Sequence, residues 1–226
     1  MKKNILLVEG SNDKAFFERV CKKHGLNYTV QVSNPVDFVP SSQGGFNSKQ
    51  GVINSLTTLL PLLEDEDSSI NKIAIILDAD ITGSNNGGFS STISQIEVKA
   101  GEFKYNNHSH CNPGVELKHS DKNMHSLGVW IMPDNKSDGA IEHWIKDKII
   151  ESERKLFEHA CDIVSKLPVT KFSDSSIAKA ELATWLSWQN QPGRTVAYTL
   201  KDGNELIDIN DIKYKNLIDW LKAFFN

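Results

Sequence analysis

Two acidic segments that follow apolar runs carry the residues most suited to chemistry in this chain. Glu9 follows the apolar run 5–8, and Asp78 and Asp80 follow a second run at 73–77. If both runs are buried parallel strands, these carboxylates emerge at one edge of a sheet. Carboxylates placed there would hold Mg²⁺, which takes one or two protein carboxylates and completes its shell with water and phosphate oxygens. The pattern therefore indicates phosphodiester chemistry.

The two acidic segments differ in what they indicate. Side chains alternate along a strand, so Asp78 and Asp80 are expected on the same side, although a turn at the end of a strand also explains such a pair. Glu9 follows a buried run directly and must be paired or desolvated, and Gly10 permits a tight turn or close approach to a phosphate. A carboxylate near the start of a helix, favoured by the helix dipole, is the alternative for Glu9. Asp13 lies in a segment typical of a helix start.

The elements that must position these residues alternate between strands and helices. Strands are predicted at 4–8, 28–32, 72–78, 114–118 and 127–132, and helices at 11–24, 48–63 and 89–99. This alternation predicts an α/β fold with a mostly parallel sheet flanked by helices. Four further helices are predicted at 139–150, 152–166, 175–189 and 213–225, so the carboxy-terminal part forms a helical extension.

Composition and charge limit the function classes. The chain has 226 residues, of which 39% are hydrophobic and 24% charged, and no apolar run approaches the ~20 residues of a membrane span. Without a cleavage signal at the start, the cytoplasm is the expected location. Cys21, Cys111 and Cys161 are far apart and odd in number, which predicts reduced thiols. A net charge of −4 provides no excess of positive charge for tight, nonspecific binding to nucleic acid. Metal ions can nevertheless supply positive charge at a reaction centre.

The segment 8–13, VEGSND, followed by the segment 77–80, LDAD, resembles the Toprim domain. Toprim domains occur in primases, topoisomerases, ribosomal RNA maturases and OLD-family nucleases, and the resemblance implies a Rossmann-like, metal-binding domain over 1–150. The extension 151–226 is expected to pack on it. The segments 131–135 and 138–142 are similar to a small group of uncharacterised bacterial Toprim-like proteins, of the DUF3226 type, related to the OLD nucleases.

The resemblance implies specific roles at the matching positions. Glu9 would act as general acid or base, and Asp78 and Asp80 would bind Mg²⁺ or Mn²⁺. The wider set of implied metal ligands comprises Glu9, Asp13, Asp78, Asp80, Asp134, Asp138 and Glu142. Such a set would allow two metals, one that activates water and one that stabilises the leaving oxygen. Lys179 would stabilise the charged transition state, although a solvent-facing helix lysine explains it too.

These roles predict a Mg²⁺-dependent nuclease that hydrolyses DNA or RNA. The chain has neither an assignable tyrosine nucleophile of topoisomerases nor the zinc-binding cysteine module of primases, and both absences favour a hydrolase. OLD enzymes usually join this domain to an ATPase, and no Gly-x-x-x-x-Gly-Lys-Ser/Thr loop occurs here. A separate ATPase partner, in a defence or toxin-like system, is therefore a hypothesis by analogy, and a homodimer is left open.

Two other functions compete with the nuclease hypothesis. Residues 78–82, DADIT, also fit the start of a haloacid-dehalogenase-type phosphatase, and Asp134 and Asp138 imitate its late acidic pair. That family leaves Glu9 and its strand unexplained. The second competitor is a noncatalytic Toprim-like module that binds nucleic acid or a nucleotide.

A polar cluster between the predicted strands raises a separate question of zinc binding. Its residues are His108, His110, Cys111, His119 and His125. Their intervals match no standard finger or ribbon, and a histidine-containing loop is the alternative.

Overall fold

The computed structural model describes residues 2–65, 67–83, 87–111 and 114–226, and the side chains of 107–111 are outside the description. Six strands form one sheet in the order β2-β1-β3-β6-β5-β4. Their bounds are β1 Lys3–Val8, β2 Val30–Ser33, β3 Ile70–Asp78, β4 Tyr105–Cys111, β5 Gly114–His119 and β6 Leu127–Met132. The first four strands in this order are parallel, and β5 and β4 continue the sheet antiparallel. The predicted α/β class with a mostly parallel sheet is confirmed.

Helices flank the sheet, as the sequence predicts. Their bounds are α1 Ser11–Lys23, α2 Lys49–Leu59, α3 Pro61–Glu64, α4 Phe89–Gly101, α5 Ile141–Lys146, α6 Glu151–Ser165, α7 Ile177–Ser187 and α8 Ile212–Phe225. The helix predicted over 48–63 is two helices, because Pro61 has no N–H to continue the backbone ladder and begins a new turn. The helix predicted over 139–150 is shorter and covers only α5.

The region 101–125 contains more regular structure than its sequence indicates. A single short strand is expected at 114–118, whereas the structure has a hairpin of β4 and β5. β4 lies at the edge of the sheet, and its polar sequence lacks the apolar alternation that marks a half-buried strand. The strand was missed because its sequence lacks this alternation and only its pairing with β5 defines it.

The order of the strands creates a switch point between β1 and β3. From β1 the chain passes to β2 on one side and returns to β3 on the other side. In open α/β sheets, sites form at the carboxyl ends of strands beside such a switch. The carboxyl end of β1 leads to Glu9, and that of β3 is Asp78 itself.

The two faces of the sheet carry different cores. One face packs against α2 and α4 through residues such as Leu7 and Ile75. The other face packs against α1 and the carboxy-terminal helices, in one cluster that includes Leu6, Trp144 and Trp220. That cluster joins residues on both sides of position 150, and the division of the chain at that position stays a prediction. Among the described helices, none combines the length and apolar character needed to cross a bilayer.

Candidate metal centre

Glu9 and Asp78 meet at the switch point. Glu9 Oε1 accepts the backbone N–H of Asp78 at 2.8 Å, although 69 positions separate the two residues. Asp78 Oδ1 accepts the N–H of Ile141, the first residue of α5, at 2.9 Å. The end of β1, the end of β3 and the start of α5 are thus tied together by two carboxylates.

The environment of this pair disfavours its negative charge. Burial raises the pKa of Glu9 from 4.5 to about 7, with Asp13 and Asp80 adding to the rise and the Asp78 N–H and Lys49 opposing it. Burial also raises the pKa of Asp78 well above its usual range, and the charge of Glu9 is the next cause. Two neighbouring carboxyls in a poorly solvated place titrate as one unit, and a cation beside them would favour the doubly ionised form.

Two more carboxylates border the same space. Asp13, in the first turn of α1, accepts the N–H of Gly10 at 3.0 Å. Its pKa is raised, first by burial and then by Glu142. Glu142 is buried in the first turn of α5, and its Oε1 lies 3.6 Å from Nζ of Lys179. The pKa of Lys179 is raised, chiefly by Glu142.

These groups line one cavity of about 500 Å³, which we call the acidic cavity. Its carboxylates are Glu9, Asp13, Asp78 and Glu142. An apolar wall comes from α7 through Leu182, Ala183 and Leu186, and the cations Lys179 and Arg194 also line it. The volume falls in the range of roughly 300–1,000 Å³ typical of small-ligand sites. The lining of the acidic cavity thus combines four carboxylates with two cations.

Comparison with known proteins gives the family. A family model described as a protein of unknown function, DUF3226, matches residues 3–226. The chain belongs to the DUF3226 family. No curated protein and no solved structure matches it. The match spans both the sheet and the carboxy-terminal helices, and it confirms the DUF3226 part of the expected resemblance, while the relationship to Toprim domains and OLD nucleases stays a prediction.

The position of Asp80 in this DUF3226 protein does not follow from the alternation of side chains along β3. β3 ends at Asp78, and Asp80 has a left-handed backbone with φ of 61° and pairs with Gly139 in an isolated bridge. Its Oδ2 lies 2.5 Å from Nζ of Lys49. The expectation that Asp78 and Asp80 point the same way requires a strand that continues to residue 80, whereas β3 ends at Asp78. Asp80 still lies close enough to help raise the pKa of Glu9, and it lines a neighbouring depression with Asp78, Glu142 and Lys179.

Lys49 is a residue of the site that sequence reasoning missed. Its Nζ donates to the carbonyl of Ala79 at 3.0 Å and to Oγ1 of Thr92 at 3.2 Å, besides pairing with Asp80. The side chain is only 13% exposed. A cation in the first turn of a helix opposes the helix dipole, and this mismatch at the start of α2 was the available signal.

Asp134 and Asp138 lie outside the described lining of the acidic cavity. Asp138 accepts the N–H groups of Thr82 and Phe89 at 3.1 and 2.8 Å, and thereby fastens the start of α4. The hydrogen bond from the Thr82 hydroxyl lowers the pKa of Asp138. Asp134 accepts the N–H of Ser137 at 2.7 Å in the turn after β6. Both aspartates thus have turn or capping contacts, and the metal role implied for them stays a prediction.

The histidine cluster is only partly described. The side chains of His108, His110 and Cys111 lie outside the described residues. His119 is buried, accepts the N–H of Asp121 through Nδ1 at 3.0 Å and packs edge-on against Tyr105. Nε2 of His119 lies 3.4 Å from Oε1 of Glu64, and zinc binding by the cluster stays a hypothesis.

The acidic cavity suits a hard divalent cation that keeps much of its own shell. Within the described ranges, no three His, Cys, Asp or Glu side chains are arranged to hold a metal among them. Mg²⁺ does not require such a cage, because one or two carboxylates, water and substrate phosphate complete its octahedron. Glu9 and Asp78 supply two oxygen donors whose pKa values are raised by burial and by neighbouring carboxylates, and a cation bound beside them would offset both effects.

Proposed function

We propose that this chain is a Mg²⁺-dependent nuclease of the Toprim and OLD-like type, which hydrolyses phosphodiester bonds in DNA or RNA. The observation that carries the proposal is the contact between Glu9 and Asp78 at the switch point, inside a cavity of about 500 Å³ lined by four carboxylates. A glutamate after the first strand and an aspartate at the end of the third are the positions on which the Toprim resemblance depends.

Glu9 and Asp78 would hold the cation, with Asp80 beside them. The cation would neutralise charge on the phosphate and activate water for attack. Glu9 has a pKa of about 7, so this carboxyl group can accept or return a proton near neutral pH. The Asp78 N–H fixes one oxygen of Glu9, and the Ile141 N–H fixes one oxygen of Asp78, so both carboxylates are oriented before a ligand arrives.

Lys179 would act on the negative charge of the substrate. Its side chain is 73% exposed and its ammonium lies near Glu142, at the border of the acidic cavity and the depression beside Asp80. A flexible cation at this border can reach a phosphate that enters the cavity. The charge on that phosphate grows during transfer, and a nearby ammonium lowers the free energy of the transition state.

A cleavage assay with matched variants tests the proposal. Pure protein is incubated with plasmid, single-stranded DNA and tRNA in EDTA, Mg²⁺ or Mn²⁺, with p-nitrophenyl phosphate as a phosphatase substrate. Asp78→Asn and Glu9→Gln should each lower Mn²⁺-stimulated cleavage at least a hundredfold, and Asp80→Ala should abolish it. Asp162→Asn, which alters only an exposed pair with Lys166, is the control and should leave the rate unchanged. Unchanged turnover by Asp78→Asn overturns the proposal, and hydrolysis of the phosphatase substrate alone favours the phosphatase.

A noncatalytic binding module is the second candidate. The observation in its favour is the presence of Lys179 and Arg194 in the lining of the acidic cavity, because these cations would bind a phosphate whether or not it is cleaved. Such a module would bind a nucleotide or nucleic acid with Mg²⁺ and would leave every substrate intact. Binding of a nucleotide or nucleic acid that requires a divalent cation and is not followed by cleavage, at protein concentrations well above the dissociation constant, would support the binding module.

A separate ATPase partner belongs to the proposal by analogy with the OLD nucleases. Affinity purification from the native host, with and without ATP, tests it. Recovery of a stoichiometric ATPase supports the partner, and recovery of the chain alone counts against it.

A further inference from the structure

A second cavity, of about 340 Å³, adjoins the acidic cavity, and we call it the basic cavity. Its lining comes from α1 and from the segment 191–201 and contains three cations, Arg19, Arg194 and Lys201. Among its described lining residues there is no carboxylate. Arg194 and Thr195 line both cavities, so the basic cavity opens beside the carboxylates of the proposed metal site.

The three cations are not used in ion pairs within the described part of the chain. Arg194 donates through Nε to the side-chain oxygen of Gln191 at 3.1 Å, which leaves its terminal guanidinium nitrogens for a ligand. The ammonium of Lys201 lies 5.5 Å from the ring centroid of Tyr198. Arg19 and Arg194 are both exposed. Hydrogen-bond donors of this kind, gathered in a concave surface, are suited to phosphate oxygens.

The nearby acidic residues face other partners. Asp202 pairs with Lys22 at 3.6 Å, and Glu205 pairs with Lys23. Glu18, which precedes Arg19 on α1, lines a different cavity near β2. The positive charge of the basic cavity is thus not neutralised locally, although the chain as a whole carries a net charge of −4.

The floor of the basic cavity is fixed. Ala197 and Tyr198 line it and are buried in the same core cluster that holds the carboxy-terminal helices on the sheet. A 3-10 turn at Val196–Leu200 carries both residues and packs against α1, the helix that supplies Arg19. The backbone that carries Arg19 is therefore supported by the core, and Arg194 and Lys201 flank the supported turn.

We propose that the basic cavity binds the phosphates of a polynucleotide strand that flank the phosphate held at Glu9 and Asp78. This inference rests on the proposed nuclease function and names its substrate as a strand of several nucleotides. The four carboxylates of the acidic cavity repel a polyanion, and the three cations beside them offset that repulsion. Because the cations lie on one side of the acidic cavity, they also fix on which side of the bound phosphate the strand continues.

Binding of a fluorescein-labelled single-stranded 12-nucleotide DNA, followed by anisotropy, tests this inference. The variant Arg19→Ala/Arg194→Ala/Lys201→Ala should bind at least tenfold more weakly than the wild type. Each contact between a cation and a phosphate adds about −0.7 to the slope of log K against log salt for a single strand, so the slope should weaken by roughly 2. In the cleavage assay KM should rise at least tenfold, with a smaller change in kcat.

Matched controls separate local from general charge effects. Lys118→Ala/Lys122→Ala/Lys155→Ala removes three exposed lysines that line neither cavity and should bind within twofold of the wild type. Arg19→Lys/Arg194→Lys/Lys201→Arg keeps the charge and should retain most of the binding. Arg19→Ala alone, at an exposed position, gives a folded variant if the triple variant is unstable.

The outcomes distinguish this inference from the nuclease proposal, because binding is measured in EDTA and in Ca²⁺ without cleavage. Equal binding of the 12-mer by the wild type and the triple variant overturns the inference even if the protein cleaves DNA. The same holds if the wild type does not bind the 12-mer. Weaker binding by the triple variant supports the inference even if no cleavage is seen. Binding of a mononucleotide is measured last. If the triple variant loses as much affinity for the mononucleotide as for the 12-mer, the basic cavity is a site for a free phosphate monoester, and the proposal that it binds a strand is overturned.

Discussion

Replacement of Glu9 by glutamine tests the electrostatics of the site through the stability of the fold. Glutamine keeps an oxygen that accepts the Asp78 N–H, while it removes the ionisable group. In the wild type, the folded state holds a proton on Glu9 up to about pH 7, whereas the unfolded chain releases it near 4.5. Stability from this group is therefore fully present below pH 4.5 and is lost as the pH rises through 7.

The size of the effect follows from the two pKa values. A rise from 4.5 to about 7 corresponds to roughly 3 kcal/mol, at about 1.36 kcal/mol per pH unit. Between pH 4.5 and 8, the free energy of unfolding of the wild type should fall relative to Glu9→Gln by about that amount. The raised pKa of Asp78 also lowers the free energy of unfolding as the pH rises. In Glu9→Gln this loss is smaller, because the charge of Glu9 is one cause of the raised pKa of Asp78.

The assay is urea unfolding in EDTA at half-unit steps from pH 4.5 to 8. The stabilities of the two proteins should agree near pH 4.5 and diverge as the pH rises, with Glu9→Gln the more stable at pH 8. Mg²⁺ at a hundred times its dissociation constant should then restore about 2.7 kcal/mol to the wild type at pH 8 and less to the variant. Asp162→Asn serves as control and should follow the wild type, since its carboxylate is exposed.

Parallel stability curves for the wild type and Glu9→Gln would contradict the raised pKa of Glu9. They would show that Glu9 is solvated in the folded protein and ionises with its ordinary pKa. A curve in which the wild type gains stability towards pH 8 would contradict even the sign of the predicted effect.

Three further substitutions probe the surroundings of the site, each by chemical denaturation. Lys49→Met removes the ammonium from Asp80 together with its hydrogen bonds to Ala79 and Thr92 and should cost about 1–3 kcal/mol, whereas Lys99→Met, which breaks a single pair with Glu102, should cost less than about 1 kcal/mol. Asp138→Ala removes the hydrogen bonds at the start of α4 and should lower the midpoint of urea unfolding; an unchanged midpoint would argue against the capping contact. Gly114→Ala places a Cβ 2.0 Å from the ring of Trp220 and should cost about 1–3 kcal/mol, and wild-type stability would contradict that packing.

The sequence predicts the central strands and the pairing of Glu9 with Asp78 because both depend on local patterns. Apolar runs bounded by acidic residues predict β1 and β3, and parallel order brings their carboxyl ends to one edge. Only this shared edge is needed for the two residues to meet. Side-chain alternation could not place Asp80, because the strand ends at Asp78 and the chain turns into a left-handed conformation.

The remaining parts of the site depend on contacts between distant segments, which a sequence pattern does not record. Lys49 reaches the site through the packing of α2, and Arg194 through a turn near the carboxy-terminal end. The resemblance implies a metal role for Asp138, which stays a prediction, whereas its hydrogen bonds to the start of α4 are visible only in the structure. β4 remained hidden because its residues are polar and only pairing with β5 makes it a strand.

Diffraction from a crystal soaked in Mn²⁺, with anomalous data, tests most directly whether Glu9 and Asp78 form a metal site. One anomalous peak is expected within about 2.5 Å of a carboxylate oxygen of each residue, with water filling the rest of the shell. In Asp78→Asn that peak should be lost under the same soak. A wild-type crystal saturated with Mn²⁺ that shows no peak between Glu9 and Asp78, or shows its peak only at other residues, would contradict the assignment of these two residues as metal ligands.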